Sequence, residues 1–162
     1  MIARSLLLGR TPRLSGYACG LAVGLGCLVA GTEAARLTLF GSFSSSIGLG
    51  YALFGAAVGI TLAAVVGYLN GGLLACVAAG FVPATARFGE VLASGTLGDI
   101  PETLLSVVAV GSILGGVGFA LGVEKHRRDA LDADLPDPPP RTAVVVAVVG
   151  SVGAGAAVLL AV

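Results

Sequence analysis

Residues 37–86 read LTLFGSFSSSIGLGYALFGAAVGITLAAVVGYLNGGLLACVAAGFVPATA and contain no Asp, Glu, Lys or Arg at fifty consecutive positions. As one α-helix they would extend roughly 75 Å at about 1.5 Å per residue, more than twice the bilayer hydrocarbon thickness of about 30 Å. The turn-forming residues Asn70-Gly71-Gly72 lie inside this stretch. We therefore predict two successive membrane helices joined by a tight turn at residues 70–72.

The composition of the whole chain also indicates an integral membrane protein. Of its 162 residues, 56% are hydrophobic and 11% are charged, whereas globular domains carry about 25% charged residues. A water-soluble core of this size would leave too much apolar surface exposed. The formal net charge is zero, so the sequence offers no basic surface for a nucleic acid. The abundance of Ala, Val, Gly and Arg is typical of a GC-rich prokaryotic genome.

Five apolar runs are predicted to form an all-α bundle of transmembrane helices, with residues 1–162 as a single membrane domain. The predicted spans are residues 14–32, 47–69, 73–92, 103–123 and 142–162. The first run could instead be a cleavable signal peptide, because small residues around Ala30 resemble a processing site. The third run is free of charge only to Ala86, so it either spans, with Arg87 reaching the interface, or re-enters. A bundle of four spans is therefore the alternative.

Three polar segments are predicted to connect these helices. Residues 32–46 form a connection that carries Glu33 and Arg36. The segment Asp99-Ile-Pro-Glu102 matches the pattern in which an aspartate side chain caps the start of a helix. Residues 124–141 are acidic and then proline-rich, which favours an extended linker.

The placement of basic residues predicts the orientation of the chain in the cell membrane. Five spans bring seven basic residues to one side: Arg4, Arg10, Arg13, Lys125, Arg127, Arg128 and Arg141. Basic residues near span ends accumulate in the cytoplasm. We therefore predict a cytoplasmic N-terminus, a cytoplasmic linker at 124–141 and an outside C-terminus. Lys125, Arg127 and Arg128 are the candidate anchors for orientation or for lipid headgroups.

Glycines recur at helical spacing, often as GxxxG, and are the candidate helix-packing residues. They are Gly16, Gly20 and Gly24 in the first span, Gly55 and Gly59 in the second, and Gly111, Gly115, Gly118 and Gly122 in the fourth. In lipid, close approach of helix backbones at small residues holds helices together. These faces either pack within one bundle or dock another subunit, so lipids and a protein partner or homo-oligomer are the predicted partners.

The sequence contains no recognisable catalytic or cofactor-binding motif. No Ser lies in a G-x-S-x-G pattern after a strand, and no phosphate-binding loop is present. Cys19, Cys27 and Cys76 are far in sequence from the single histidine, His126, so no metal site is predicted. We expect no cofactor, no metal and no enzymatic activity.

Two functions are compatible with this pattern. Up to Ala86 in the third run, and throughout the other four, the apolar runs carry no acid or base, apart from Arg87 and Glu90 at the end of the third; this disfavours ion-coupled transport. We therefore predict a structural or assembly role, either as an accessory subunit of a membrane complex or as a self-associating bundle. The alternative is a small channel or uncoupled transporter acting as an oligomer. In that case Pro83, beside Thr85, would break the third helix and free backbone carbonyls for a ligand.

Overall fold

The structure, a computed structural model, describes residues 2–42, 45–131 and 135–161, and every regular element in these ranges is helical. The helices are α1 Ile2–Leu8, α2 Pro12–Phe40, α3 Ser45–Asn70, α4 Leu73–Ala84, α5 Ala86–Ser94, α6 Ile100–Asp129 and α7 Arg141–Ala161. A short 3-10 helix, Leu97–Asp99, leads into α6. The prediction of an all-α bundle is confirmed.

Four of the described helices are long and apolar enough to cross a membrane. They are α2, α3, α6 together with the 3-10 helix before it, and α7. Helices α4 and α5 bend by 41° at Thr85 and provide a fifth crossing only when they are taken together as one broken span. The structure thus retains both sequence-based alternatives, four spans or five.

Helix α6 is the centre of the bundle. It packs against α3, α4 and α7, and twelve of its residues are buried. Its Phe119 and Val123 side chains are fully enclosed and belong to the same apolar cluster as Ala63 of α3 and Cys76 of α4. Helix α2 packs on α4 and α5 but barely contacts α3. A gap therefore separates α2 from α3.

The long helices run alternately between two ends of the bundle. At the Phe40 end, α2 and α5 finish, α3 and α6 begin, and α7 finishes. At the Asn70 end, α3 finishes, α4 begins, and the junction between α1 and α2 lies against the turn. These two names are used below for the ends of the bundle.

The turn at residues 70–72 lies where the sequence predicts it, and Asn70 ties it to the chain before α2. Gly71 adopts the left-handed backbone conformation, with φ of 64°, that glycine tolerates best. The buried Asn70 side chain accepts hydrogen bonds from the Thr11 amide at 2.9 Å and hydroxyl at 3.0 Å. Its Nδ2 donates to Ser15 Oγ at 2.7 Å, and its carbonyl accepts from the Arg10 amide at 2.9 Å.

Helix α2 is longer than the sequence predicts. It continues past residue 32 to Phe40, so most of the predicted connection at 32–46 is helical. Glu33 and Arg36 lie one turn apart on this helix and neutralise each other as an ion pair, which lets the helix continue through two charged residues. Glu33 is only 4% exposed, so it belongs to the interior of the bundle.

Helix α6 also extends beyond its predicted end. It continues through residues 124–128 to Asp129, so the predicted linker at 124–141 begins later than expected. Ion pairs within the last turns stabilise this extension, since Glu124 lies 2.7 Å from Arg127 and Lys125 lies 2.6 Å from Asp129. Residues 135–140 are not helical, and residues 132–134 of the predicted linker lie outside the described part.

Two smaller expectations also differ from the structure. Asp99 stands at the start of α6, but its side chain forms no capping hydrogen bond, so the predicted cap is wrong. Pro101 in the first turn needs no partner for an amide proton, because it has none. The final residue of the predicted last span, Val162, lies outside the described residues.

Candidate functional site

The predicted packing glycines of α6 lie where neighbouring backbones approach most closely. A Cβ built on Gly118 would lie 2.7 Å from the carbonyl oxygen of Ile60, on α3. On Gly122 it would meet the carbonyl oxygen of Ala64, on Gly115 the backbone of Val77, and on Gly111 the ring of Phe81. A side chain at Gly115, Gly118 or Gly122 would force α3 or α4 away from the central helix, whereas one at Gly111 would first displace the Phe81 ring.

The two predicted glycines of α3 make room for a proline. A Cβ on Gly59 would lie 2.8 Å from Pro83 Cγ, and one on Gly55 would lie 3.4 Å from Pro83 Cβ. The ring of Pro83, which is the last residue but one of α4, therefore sits against the glycine face of α3. This contact positions the break between α4 and α5.

The glycine stripe of α2 has no neighbour within the described chain. Nothing lies within 4 Å of a Cβ built on Gly16, Gly20 or Gly24. The face that packs on α4 and α5 instead carries Ala22, Gly26, Ala30 and Glu33. Both stripes have small residues four positions apart, so spacing alone does not distinguish them. The buried Glu33 on the second stripe is the signal that the sequence analysis missed.

Two further glycines that sequence reasoning did not select mediate close packing. A Cβ on Gly80 would lie 2.6 Å from the Gly111 carbonyl oxygen and from the Gly115 amide nitrogen. A Cβ on Gly89 would lie 2.5 Å from the carbonyl oxygen of Ala30. Gly80 brings α4 onto α6, and Gly89 brings α5 onto α2.

The three predicted anchors lie together at the Asn70 end. Lys125 is bound to Asp129, and Arg127 donates to Glu124 at 2.7 Å and to the Pro139 carbonyl at 2.7 Å. Arg128 is three-quarters exposed and lies 3.7 Å from Glu124. Arg127 therefore also holds the proline-rich segment against the end of α6.

The buried His126 reinforces that attachment. Its Nε2 lies 2.9 Å from the carbonyl oxygen of Pro136, and its ring meets Tyr68 edge to face at 5.5 Å between centroids. From the sequence, His126 belongs to the basic patch at residues 125–128 and is expected to face lipid headgroups or to serve as an orientation anchor, whereas the structure buries it. Among the residues that the structure describes, no group of three His, Cys, Asp or Glu side chains could hold a metal ion.

A large cavity forms a cleft between α2 and α3 in the half of the bundle nearest the Phe40 end. Its volume is about 920 Å³. Its floor is formed by α6 and by the break between α4 and α5, and its walls carry mostly apolar residues, including Val29, Val58, Val110 and Leu114. We call this cavity the interhelical cleft. Its size and lining are those of a small-molecule binding site.

The floor of the interhelical cleft is a discontinuous helix. Pro83 has no amide proton, so it cannot continue the ladder of helical hydrogen bonds. Thr85 separates α4 from α5, and its hydroxyl lies 2.9 Å from the Gly26 carbonyl and 2.6 Å from the Val82 carbonyl. The break is thus anchored on α2, and it places the start of α5 beside the cleft.

One wall of the cleft carries a buried ion pair. Glu33 accepts hydrogen bonds from Arg36 Nη2 at 2.5 Å and from Arg36 Nε at 3.0 Å. The Tyr51 hydroxyl donates to Glu33 at 3.3 Å, which links α3 to α2 across the gap. Arg36 also donates to the Gly41 carbonyl at 2.9 Å. This network holds the two walls at a set distance near the Phe40 end.

Helix α5 adds two more charged residues, Arg87 and Glu90, to the cleft. Arg87 Nη1 donates to Ser106 Oγ on α6 at 3.2 Å. A smaller cavity of about 490 Å³, lined by Asp99, Glu102 and Thr103, shares Arg87, Glu90 and Ser106 with the interhelical cleft. The smaller cavity lies toward the Phe40 end, so the two cavities together lead from that end into the bundle.

The sequence predicts Glu33 and Arg36 in a connection between helices and Arg87 at the interface end of the third span. Glu90 is not among the candidate site residues predicted from the sequence. The structure places Glu33, Arg36, Arg87 and Glu90 on helices, around one apolar cleft. Comparison with models of known protein families, with characterised proteins and with solved structures finds no match to this chain. The fold therefore identifies the protein as an all-α bundle of helices that are apolar enough to span a membrane. Any inference about its function rests on the interhelical cleft.

Proposed function

We propose that the protein is a non-enzymatic integral membrane protein that binds a small amphiphilic molecule in the interhelical cleft and allows its uncoupled passage through the bundle. The observation that carries this proposal is the cleft of about 920 Å³ with apolar walls and a few convergent charged groups. Ligand sites typically have volumes of about 300–1,000 Å³ and this mixture of lining groups. The sequence favours an assembly role over transport. Because of the cleft, we now place binding and passage of a ligand before assembly.

Two features of the cleft support passage in addition to binding. Its floor is a broken helix, the arrangement that membrane transporters use to line substrate sites. Charged residues carried by apolar helices are costly in lipid and therefore indicate a functional site by default. Glu33 and Arg36 lie on a helix of mean hydropathy 1.7 that is long enough to span, and both line the cleft.

Photo-crosslinking tests the binding proposal. In liposomes that contain a single-chain phospholipid with a photoreactive acyl group, we expect labelled peptides to come from the cleft. Replacing Ala52, which lines the cleft, with tryptophan should reduce this labelling about tenfold, because the indole would occupy the ligand volume. The matched control is Ala57→Trp, on the outward face of the same helix, which should leave labelling unchanged. Labelling confined to outward-facing residues would contradict the proposal.

A second candidate function is assembly within the membrane. One observation favours it: the Gly16, Gly20 and Gly24 face of α2 is open, and small-residue faces of this kind drive helix association in lipid. We propose a second copy of this chain as the partner of that face. An accessory role beside another membrane protein would use the same surface.

Native mass measurement tests the assembly proposal. Gly20→Leu should convert an oligomer to a monomer while the helices of each chain stay packed, because Gly20 has no neighbour within the described part of its own chain. Thr32→Leu, an exposed substitution on another face of α2, should leave the mass unchanged. A monomeric wild-type protein, or an unchanged mass for Gly20→Leu, would exclude self-association through this face.

The distribution of basic residues supports a location in the cell membrane with the Asn70 end in the cytoplasm. Lys125, Arg127, Arg128 and Arg141 lie at that end, and Arg10 is hydrogen-bonded to the turn there. Basic residues near span ends favour the cytoplasmic side. The start of α1 would then be cytoplasmic, and the end of α7 would lie outside.

A further inference from the structure

Arg87 and Glu90 are the charged groups of the interhelical cleft that have no charged hydrogen-bonding partner. Among the residues that the structure describes, neither forms an ion pair; Arg87 donates only to the neutral Ser106 hydroxyl, and Glu90 forms no hydrogen bond. By contrast, Glu33 and Arg36 neutralise each other. The cleft therefore presents one guanidinium and one carboxylate that remain available to a ligand.

The two groups face the cleft at a spacing that suits a ligand with both signs of charge. They are three residues apart on α5, which places their Cβ atoms about 5–6 Å apart on one helix face. A guanidinium binds carboxylate and phosphate groups through paired hydrogen bonds, and a carboxylate binds an ammonium group. A zwitterion with an acidic group and an ammonium group would satisfy both.

The surrounding charges disfavour a purely anionic ligand. Asp99 and Glu102 line the smaller cavity that continues from Arg87 and Glu90. Glu90, Asp99 and Glu102 thus lie near Arg87, while Arg36, the other arginine of the cleft, is paired with Glu33. An anion without an ammonium group would be repelled by these three acids. A purely cationic ligand would in turn leave Arg87 without an anionic partner.

The rest of the cleft fits an apolar tail. Val29, Val58, Val110 and Leu114 form its walls, and α2 barely contacts α3 beside it. Phe54, at 69% exposure, lines the same gap on its outward side. An acyl chain can therefore extend from the charged end of the cleft toward the lipid.

We propose that the interhelical cleft recognises a zwitterionic single-chain amphiphile, with its acidic group on Arg87 and its ammonium group on Glu90. This assignment rests on the proposed function, since it requires that the cleft binds an amphiphile. It adds the chemical class of the ligand and the two residues that select it.

The test compares three photoreactive probes that share one acyl chain and differ in headgroup. They are a single-chain phosphatidylethanolamine, a single-chain phosphatidylglycerol and a monoacylglycerol, each in liposomes with the full-length protein. We expect the zwitterionic probe to label the cleft about tenfold more than either of the others, since one charge-assisted contact is worth roughly that factor. Free phosphoethanolamine at the same concentration should not compete.

Charge-removing variants assign the contacts. Glu90→Gln should remove the preference for the zwitterionic probe over the anionic one, and Arg87→Gln should weaken labelling by both phospholipid probes. Asp137→Asn, an exposed acid at the Asn70 end that lines neither cavity, is the matched control and should retain the preference. All three side chains are exposed, so folding should be unaffected.

The contrary outcomes separate the two proposals. Equal labelling of the cleft by all three probes would overturn the zwitterion assignment and leave the proposed function intact. Full competition by free phosphoethanolamine would overturn the assignment to an amphiphile. The absence of cleft labelling by every probe would overturn both the assignment and the proposed function.

Discussion

Replacing Gly80 with alanine is expected to destabilise the bundle by about 1–3 kcal/mol or more, the usual cost of overpacking a well-packed interior. The new methyl group would lie 2.6 Å from the carbonyl oxygen of Gly111 and 2.6 Å from the amide nitrogen of Gly115. Both atoms belong to the backbone of α6 and cannot rotate aside. Helix α4 would therefore have to move away from the central helix, and the break at Thr85 would move with it.

Cys76 provides the measurement, because its side chain is fully buried on α4. In a protein whose two other cysteines are replaced by alanine, a thiol-reactive dye should reach Cys76 only on unfolding. The midpoint of dye labelling on heating should fall for Gly80→Ala.

Gly20→Ala is the matched control for this substitution. It makes the same change on α2, but nothing lies within 4 Å of the added atom. Alanine is a better helix former than glycine by about 1 kcal/mol, so the labelling midpoint should stay or rise. Equal midpoints for the two variants would show that α4 and α6 do not pack as closely as described.

Replacing Asn70 with alanine should have the second large effect, a loss of about 2–4 kcal/mol of stability. The side chain is 3% exposed and connects the turn after α3 to residues before and within α2. Its removal would leave the buried Ser15 hydroxyl without its donor, at a cost of about 1–3 kcal/mol. It would also break the hydrogen bonds to the exposed Thr11, which are worth about 0.5–1.5 kcal/mol each at most, since water can replace the acceptor.

Ser15→Ala separates the two halves of this network. The alanine loses the hydroxyl that accepts from Asn70 Nδ2 at 2.7 Å, while both hydrogen bonds from Thr11 to Asn70 remain. An intermediate labelling midpoint at Cys76 is therefore expected. If Asn70→Ala unfolded at the wild-type temperature, the turn at 70–72 would be held by its glycines alone.

The sequence by itself determined the class of the protein and the position of its central turn. Fifty residues without charge cannot lie in one crossing of a bilayer, and only helices satisfy their own backbone hydrogen bonds in lipid. Asn70-Gly71-Gly72 supplies the break, because Gly71 adopts a backbone conformation that other residues resist. The uncharged run and the turn residues can each be recognised in the sequence without knowledge of tertiary contacts, so the all-α fold and this turn were predictable.

The charged end of α2 depended in part on a tertiary contact. Glu33 looked like the start of a loop, because a lone carboxylate is expensive in an apolar helix. The structure gives it Arg36 and Tyr51 as partners, and the second of these comes from a different helix. The continuation of α2 to Phe40 was therefore not readable from the run of hydrophobic residues.

Tertiary structure alone decided which small-residue face packs and where a ligand could bind. Glycines four residues apart mark a face that permits close approach, but they do not say which helix approaches it. Gly118 meets α3, whereas Gly20 meets nothing within the described chain. The interhelical cleft arises because α5 bends at Thr85 and packs on α2, which leaves α2 and α3 apart. Arg87 and Glu33 lie far apart in the sequence and share a site only because that packing brings their helices together.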